Sequence, residues 1–541
     1  MGVVPSSVFN PERKVWSGPK KQMLYNENVS VGQLLHLNIA AHPKNIQQIN
    51  DTEKTTLTNE EVLSLSTKLA FSLLEMGLTS NDFIGIMAAN TTYVMPVVYG
   101  SFFINIPCHP IDVTFSKEAI EYSWQKTKPK VVFCDGSVYE TVKEVIGDLG
   151  LKCEIITLRD HIDGVKKIQD LFIDRGLKER FFQPFEIKDG NQTAVVLCSS
   201  GSTGLSKAVT LSHKCITSIF SVLTDNDQDI FLTFSSMYWA SGLLGILNAG
   251  ITGATHLVIS EPFSPELALD LIDRYKVTKT LLPPRNIALI LNSPDIEKKS
   301  LKSLKTVNCG GAKLPLDIRQ RFKKYLNPYC ILFFAYGCTE TGLIAAAFEE
   351  RKLDSTGIVG FNNEIKIVDE NGNNLGVGED GEICMRSPVK WNGYYGDKNA
   401  TDEVYDVESG WYKTGDKGHF DEDGYLYIVD RIKEIMKSKG YHISPSEIEE
   451  VVLELPEVAD VCVVGIPDVV TINLPAALVI KRNGMSLPEE TILKYVAGKM
   501  PHYKHLTGGV YFVDSLDRTP SGKILRGKAR EVAERLYKER V

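Results

Sequence analysis

Hydroxyl, ammonium and carboxylate side chains, the groups that handle phosphate chemistry, recur in short glycine-containing clusters along this 541-residue chain. The first is "SSGSTGLSKAVTLSH", Ser199 to His213. Glycines Gly201 and Gly204 lack a Cβ and let backbone N–H groups approach phosphate oxygens, Ser199, Ser200, Ser202 and Thr203 add hydroxyl donors, and Lys207 adds a point charge. Gly201 and Gly204 lie three apart and Lys207 stands between Ser206 and Ala208, so this is not a Walker loop, which has a longer spacer and a Gly-Lys-Ser/Thr ending. By itself the stretch reads equally as a phosphate clamp or as a solvated turn. Four more clusters share its character: "YGCTETG" (Tyr336 to Gly342) after the apolar strand "CILFFA", "YKTGDKG" (Tyr412 to Gly418) ahead of a hairpin, "DRIKEIMKSKGYHISPSEIE" (Asp430 to Glu449), and "RTPSGKILR" (Arg518 to Arg526).

The elements that position these clusters are legible from periodicity. Strand-like runs ("FIGIMA", "VVFC", "AVVLCS", "DIFLTF", "THLVIS", "KTLLP", "KTVNCG") alternate with helical stretches such as "SPELALDLIDRYK", which predicts a mostly parallel α/β sheet architecture. From about Gly357 short strands with turn signals take over, Glu-Asn-Gly-Asn and Asp-Glu-Asp-Gly marking hairpins of a small antiparallel sheet or barrel. After Asp430 come a helix "SPSEIEEVVLEL", strands "VADVCVVGIP" and "AALVIKR", a helix "PEETILKYVAGKM" and a final basic helix, the content of an independent domain of roughly 110 residues. A chain this long exceeds one core.

Composition excludes several classes. A net charge of -8 argues against broad nucleic-acid contact, leaving a small phosphate ligand held by local basic clusters. The ten cysteines form no C-x-x-C pair and the ten histidines no H-E-x-x-H, which predicts reduced thiols in a reducing compartment and no protein-caged transition metal, with a substrate-borne magnesium ion still admissible. Two long uncharged runs, Phe83 to Ile111 and Ile230 to Ser260, have the length of a membrane span but contain Asn90, Pro96, Pro107 and Pro110, or Asn248 and several glycines. Each reads as buried strand, polar loop and covered apolar helix, so no transmembrane segment is expected; peripheral membrane contact stays open. The start, "MGVVPSSVF", is not a signal peptide, though it fits the loose myristoylation pattern. The end, "LYKERV", lacks the peroxisomal Ser-Lys-Leu. Cytoplasm is the expectation and the peroxisome the alternative.

Taken in order, the five clusters resemble the motif series of the adenylate-forming enzymes: acyl-CoA synthetases, 4-coumarate-CoA ligases and beetle luciferases, with the insect luciferase-like acyl-CoA ligases the nearest group. The resemblance covers essentially the whole chain. It implies a large N-terminal AMP-binding (adenylation) domain, residues 1–430, of stacked, mostly parallel α/β sheets plus a small β-barrel-like subdomain, and a smaller mobile α+β C-terminal domain, residues 431–541. It also implies two steps. A carboxylate attacks the α-phosphate of ATP to give an acyl-adenylate and pyrophosphate, and the thiol of coenzyme A then displaces AMP. Such chemistry needs charge neutralisation and in-line positioning more than covalent help.

Carried onto this sequence, the family pattern makes Ser199–Gly204 and Lys207 the phosphate clamp, puts Tyr336 and Gly337 against adenine, Thr339 on the phosphates and Glu340 on magnesium, and adds Gly311 and Ala312 to the nucleotide site. Glu340 read alone is an acid at a helix N-terminus. Asp416 resembles the ribose-binding aspartate and Arg431 its counterpart, either of which read alone is a surface ion pair. Lys523 matches the catalytic lysine of adenylation, stabilising charge that develops in a closed site. Lys437 matches the lysine presented in the second half-reaction, with Lys439, Gly440 and Tyr441 along the coenzyme A channel. The two lysines are expected on different faces of the small domain, which swings about a hinge near Lys433. Trp239, Gly310, Ala335 and Cys338 would line the acyl pocket; read alone, Trp239 is a core aromatic.

The chain departs from the pattern at Ser206 and Ala208, where the family usually has Pro and Gly, and a slower loop is expected from that. Trp239 stands where luciferases have histidine, and no arginine lies between Lys214 and Arg274 to match their luciferin-contacting one. No Asp, Arg or Lys lies among the pocket segments, which favours an aliphatic or aromatic monocarboxylic acid over an amino acid. The sequence therefore points to an ATP-dependent acyl-CoA ligase for a medium- to long-chain fatty acid or an aryl-propenoic acid, using ATP, Mg2+ and coenzyme A, with small molecules rather than nucleic acid as partners. The alternatives are luciferase-like oxidation of the adenylate, a carrier-loading module working in trans, and a non-enzymatic nucleotide-binding paralogue. Retention of Lys523 beside Lys207, Thr339, Glu340, Asp416, Arg431 and Lys437 speaks against the last.

Overall fold

The computed structural model describes residues 6–199, 207–221, 226–347, 351–482, 484–519 and 523–540. The chain divides into two compact units, one of Ser17–Glu364 with Arg386–Tyr412 and one of Ser7–Trp16 with Ile365–Met385 and Lys413–Val541.

Short apolar strands whose residues are all buried, such as Ile84–Met87 and Val131–Cys134, require cover on both faces, and the larger unit supplies it. Its first sheet has six strands in the order Lys207–Ser212, Thr193–Ser199, Cys108–Pro110, Ile84–Met87, Val131–Cys134, Glu154–Thr157. Only the first two of these pair antiparallel. The second sheet has nine strands and is parallel from Ile331–Cys338 through Thr306–Gly310, Lys279–Leu281, Ile230–Leu232 and Thr255–Val258 to Ile46–Asn50, with antiparallel strands at both edges.

Alternation along the strands assigns the layers. Val131 and Phe133 share a core with Val97, Val98, Phe102, Leu243 and Leu247, whereas Val132 and Cys134 pack on the opposite face with Ile120, Trp124 and Val142. Helix Ala240–Thr252 contributes to that first core and also packs on strands of the nine-stranded sheet, so a helical layer separates two stacked sheets. The far face of the second sheet is closed by helices Pro265–Tyr275, Pro284–Leu291 and Leu316–Lys323 through Leu269, Ile272, Ile287, Ile290 and Phe322.

Helix starts follow local chemistry. Ser30 and Thr58 form capping boxes with Gln33 and Glu61, and Ser264 caps a helix that has Pro265 in its first turn. Both long uncharged runs resolve into strand, loop and helix as the prolines and asparagines demand; every residue of helix Val94–Phe103 is buried. Among the described residues no helix is long and apolar enough to cross a membrane.

The second unit carries a six-stranded sheet in the order Val8–Asn10, Val15–Ser17, Glu364–Val368, Gly381–Arg386, Tyr412–Phe420, Leu426–Arg431. The Asp-Glu-Asp-Gly signal is a hairpin turn: Asp421 accepts from the amides of Asp423 and Tyr425, and Gly424 takes φ of 78°. Its other part is a three-stranded sheet, Val458–Asp468, Ile472–Lys481 and Gly509–Phe512, with helices on both faces. Val461, Val463, Ala477, Val479 and Val510 face helices Pro445–Leu453 and Glu489–Lys499, while Cys462, Val464, Ala476 and Leu478 face helix Arg526–Arg540.

Candidate functional site

The segment from Ser199 to Lys207 is bounded by two paired strands. Strands Thr193–Ser199 and Lys207–Ser212 pair antiparallel with Lys207 opposite Ser199. Ser200, Gly201, Ser202, Thr203, Gly204 and Ser206 lie outside the described residues. "KAVTLS" is a strand whose Ala208, Val209, Thr210 and Leu211 are all buried, and a helix begins at His213 under a Ser212 cap. Lys207 and Ala208 consequently face opposite ways. Lys207 Nζ lies 4.6 Å from the centroid of the Tyr394 ring, and Ala208 packs with Phe83, Val196 and Tyr395.

Strand Ile331–Cys338 carries Ala335, Tyr336, Gly337 and Cys338, turns through Thr339 and Glu340, and returns antiparallel as Gly342–Ala347. Glu340 is therefore on a strand-to-strand turn, and the helix-dipole explanation for an acid here does not apply. A Cβ on Gly337 would lie 2.3 Å from the Gly342 carbonyl oxygen, so the tight crossing requires glycine. Glu340 is buried, and its Oε1 accepts a hydrogen bond from the Tyr394 hydroxyl at 2.9 Å. Tyr412 also hydrogen-bonds Tyr394, and Trp391 stands edge-on to Tyr394, Tyr405 and Tyr412. Burial first, and the negative charge of Glu340 among the further causes, push the Tyr394 and Tyr412 phenols well above their ordinary range, so both stay neutral. Thr341 Oγ1 lies 3.0 Å from Cys338 Sγ.

The pocket candidates leave the carboxyl ends of strands of one sheet, the crevice where open parallel sheets bind ligands. Gly310 pairs with Ala335 across neighbouring strands, and Gly311 follows at φ of 86° beside an exposed Ala312. Trp239 lies on the connection from strand Ile230–Leu232 and is the residue before helix Ala240–Thr252. It meets Tyr238 edge-on at 4.7 Å, and Tyr238 meets Phe115 at 5.0 Å. A Cβ on Gly242 would fall 2.0 Å from the Ser236 carbonyl oxygen, so this glycine lets the connection fold back on the helix start.

In the second unit, Asp416 and Arg431 are opposite each other on paired strands, Arg431 Nε to Asp416 Oδ1 3.4 Å. Lys433 is exposed. Lys437 sits on a small hairpin, Met436–Ser438 with Tyr441–Ile443, whose turn is Lys439 (φ 50°) and Gly440 (φ 81°). Tyr441 stacks on Tyr503 with centroids 4.2 Å apart. Lys523 is exposed; its amide donates to Thr519 Oγ1 at 3.2 Å and its carbonyl accepts from the Thr519 amide at 2.8 Å. Met436 and Ile443, flanking Lys437, pack into the core on one face of the three-stranded sheet, and Ile524, next to Lys523, packs into the core on the other.

Three features escape the sequence. Trp391 packs edge-on against Tyr394, Tyr405 and Tyr412 in one aromatic cluster, and Tyr394 of that cluster donates to Glu340; "KWNGYYG" was the available signal, an aromatic cluster with glycine after a run of hairpins. Arg526 binds both oxygens of Glu449, Glu434 and the Val463 carbonyl, which links helix Arg526–Arg540 to the segment after Arg431. Asp430 accepts from the Ser444 and Ser446 hydroxyls and the Ser446 amide. The family model described as AMP-binding enzyme matches residues 35–395, and the AMP-binding enzyme C-terminal domain matches residues 447–523.

The chain belongs to the AMP-binding enzyme family. This adenylate-forming enzyme is 30% identical to probable 4-coumarate-CoA ligase 1 of Dictyostelium discoideum over 92% of its length and 94% of that protein's. It is 31% identical to luciferin 4-monooxygenase of Photuris pensylvanica, covering 90% of this chain and 91% of that one. In fold it superposes on ATP-bound MatB from Rhodopseudomonas palustris with a TM-score of 0.83 at 22% identity, over 95% of this chain and all of that one.

Proposed function

We propose that this AMP-binding enzyme is an ATP-dependent acyl-CoA ligase. It activates an apolar monocarboxylic acid, a medium- to long-chain fatty acid or an aryl-propenoic acid, to an acyl-adenylate and passes the acyl group to coenzyme A. One observation carries the reading: a lysine at the foot of the glycine-hydroxyl loop and a buried carboxylate on a neighbouring turn converge on one tyrosine, Lys207 on its ring and Glu340 on its hydroxyl. Cation and carboxylate side by side are what a magnesium-bound triphosphate needs, the lysine for phosphate oxygens and the acid for the metal.

Glu340 fits that metal. It is a hard oxygen ligand with its second oxygen uncommitted to Tyr394, and Thr339 adjoins it. Magnesium, when bound, would neutralise triphosphate charge. In the same reading Asp416 and Arg431 serve the ribose, Lys523 the adenylation step and Lys437 thioester formation, with Lys439, Gly440 and Tyr441 along the thiol channel and Lys433 at the hinge. Trp239, Gly310, Ala335 and Cys338 line the acyl side, and the sequence segments that carry them hold no Asp, Arg or Lys to receive a charged tail. A cytoplasmic location accompanies this assignment.

A pyrophosphate-release screen across carboxylic acids, with and without coenzyme A, tests it. Release with fatty or aryl-propenoic acids and thioester only with coenzyme A is expected. Light emission with luciferin and oxygen, or no release with any acid, would overturn it.

A further inference from the structure

Through Tyr394 the aromatic cluster meets two function-bearing groups, Lys207 and Glu340, and its backbone explains how. Trp391 to Tyr395 lies along the strand that follows the phosphate loop: Tyr394 bridges Val209, the Tyr395 amide donates to the Ala208 carbonyl at 2.7 Å, and the Thr210 hydroxyl donates to the Gly393 carbonyl at 2.6 Å. Trp391 Nε1 donates to the Thr210 carbonyl at 3.1 Å. Gly393 takes φ of 86°, and the Tyr394 amide donates to Thr401 Oγ1 at 2.9 Å, which fixes the outgoing chain. Tyr394 is thereby locked to the same strand that starts with Lys207, while its hydroxyl reaches the turn that carries Glu340, 54 residues away in sequence.

We infer that Tyr394 is a positioning residue that sets the spacing between the phosphate-binding lysine and the metal-binding carboxylate, its ring face holding the Lys207 ammonium and its hydroxyl orienting Glu340 so that the second carboxylate oxygen faces the metal. The inference rests on the nucleotide reading of this site and adds to it the element that couples its two charges. The physical basis is a division of labour within one side chain. A ring face attracts a cation electrostatically, and a neutral phenol donates to a carboxylate without adding charge. Tyr412 and Trp391 restrict the ring from two other sides, so the hydroxyl has little freedom to follow a displaced carboxylate.

The two contacts separate by substitution. Tyr394→Phe keeps the ring for Lys207 and removes the donor to Glu340; Tyr394→Leu removes both. Full-length proteins are titrated with ATP in the absence of divalent metal by calorimetry, and with Mn2+ in the presence of a non-hydrolysable ATP analogue by water-proton relaxation. Tyr394→Phe is expected to bind metal-free ATP like the wild type but to need about tenfold more Mn2+ for half-saturation, the size of a lost hydrogen bond to a charged group. Tyr394→Leu is expected to lose about fivefold in metal-free ATP affinity as well, from the displaced Lys207. In a Glu340→Gln background, Tyr394→Phe should change Mn2+ half-saturation by less than about twofold, because the path through the carboxylate is already cut. A Tyr394→Phe protein with unchanged Mn2+ half-saturation, or losses that simply multiply in the double variant, overturns the inference while wild-type binding upholds the site. A wild-type protein that binds neither ATP nor Mn2+ overturns the nucleotide reading itself.

Discussion

Ala208 shows how much one side chain's direction decides. From sequence its Cβ is an obstruction in a phosphate loop that usually has glycine there; in the fold it points away from Lys207 into contact with Phe83, Val196 and Tyr395. Ala208→Gly should therefore lower stability by about 1 kcal/mol, through lost packing and a more flexible unfolded chain, and bring no gain in turnover. Thermal melting and steady-state rates of the one variant check both halves. Ser206 lies outside the described residues. Ile472 is a second residue-scale case. It is a β-branched residue at φ of 71°, in a hairpin whose Val469 and Val470 are almost wholly exposed, and it is 57% exposed itself. Such a residue is strained in the left-handed region. Ile472→Asn, which tolerates that region, should raise stability by up to about 1 kcal/mol in urea titration, since little burial is lost.

At the scale of elements, the three-stranded sheet of the second unit separates two hairpin-like segments. The Lys437 hairpin is held by Asn473, whose side chain donates to the Lys437 carbonyl at 2.9 Å, and by the Lys439 amide, which donates to the Thr471 carbonyl at 3.1 Å. The Lys523 segment belongs to the opposite face, through Ile524 and helix Arg526–Arg540. Opposite faces suit alternation between half-reactions. Lys523→Ala should slow adenylate formation strongly while barely affecting thioester formation from supplied acyl-adenylate, and Lys437→Ala the reverse; equal loss of both half-reactions in each variant would refute the assignment. Arg526 is the structural member of this region, with Glu449 and Glu434 as partners and the guanidinium held firmly charged despite a burial penalty. Arg526→Met leaves the Glu449 carboxylate with no guanidinium in a largely buried position and should cost about 3–5 kcal/mol in the unfolding of this unit, read by urea titration.

At the scale of the whole molecule, burial of histidines in the larger unit makes stability depend on pH. Burial lowers His109 to about 3, with Lys126 adding to it, and lowers His213 and His256 to about 4. His213 uses Nδ1 to accept from the Val31 amide at 3.1 Å, which requires the neutral ring. In the unfolded chain each would titrate near ~6.5, so the unfolded state binds more protons below that pH. The stability is fully present above the unfolded value and is lost as pH falls from there towards the folded values, at up to about 1.4 kcal/mol per pH unit for each histidine. The urea midpoint should fall between pH 7.5 and pH 5, and His109→Gln should flatten that decline.

The sequence by itself determined what is local. Each of the five clusters is a contiguous run of glycines and polar residues, so spacing alone exposes them. Strand and helix alternation likewise follows from local periodicity, and the unbroken apolar runs of "FIGIMA" and "VVFC" already required cover on both faces. Only the tertiary structure decided which distant groups share a charge environment. Tyr394 meets Glu340 across 54 residues and Arg526 meets Glu449 across 77. Such pairs depend on sheet order, strand register and the direction in which each side chain leaves its strand, and none of these is encoded within a window of neighbouring residues. The same holds for "KAVTLS", whose pairing with Thr193–Ser199 rests on a partner outside its own window.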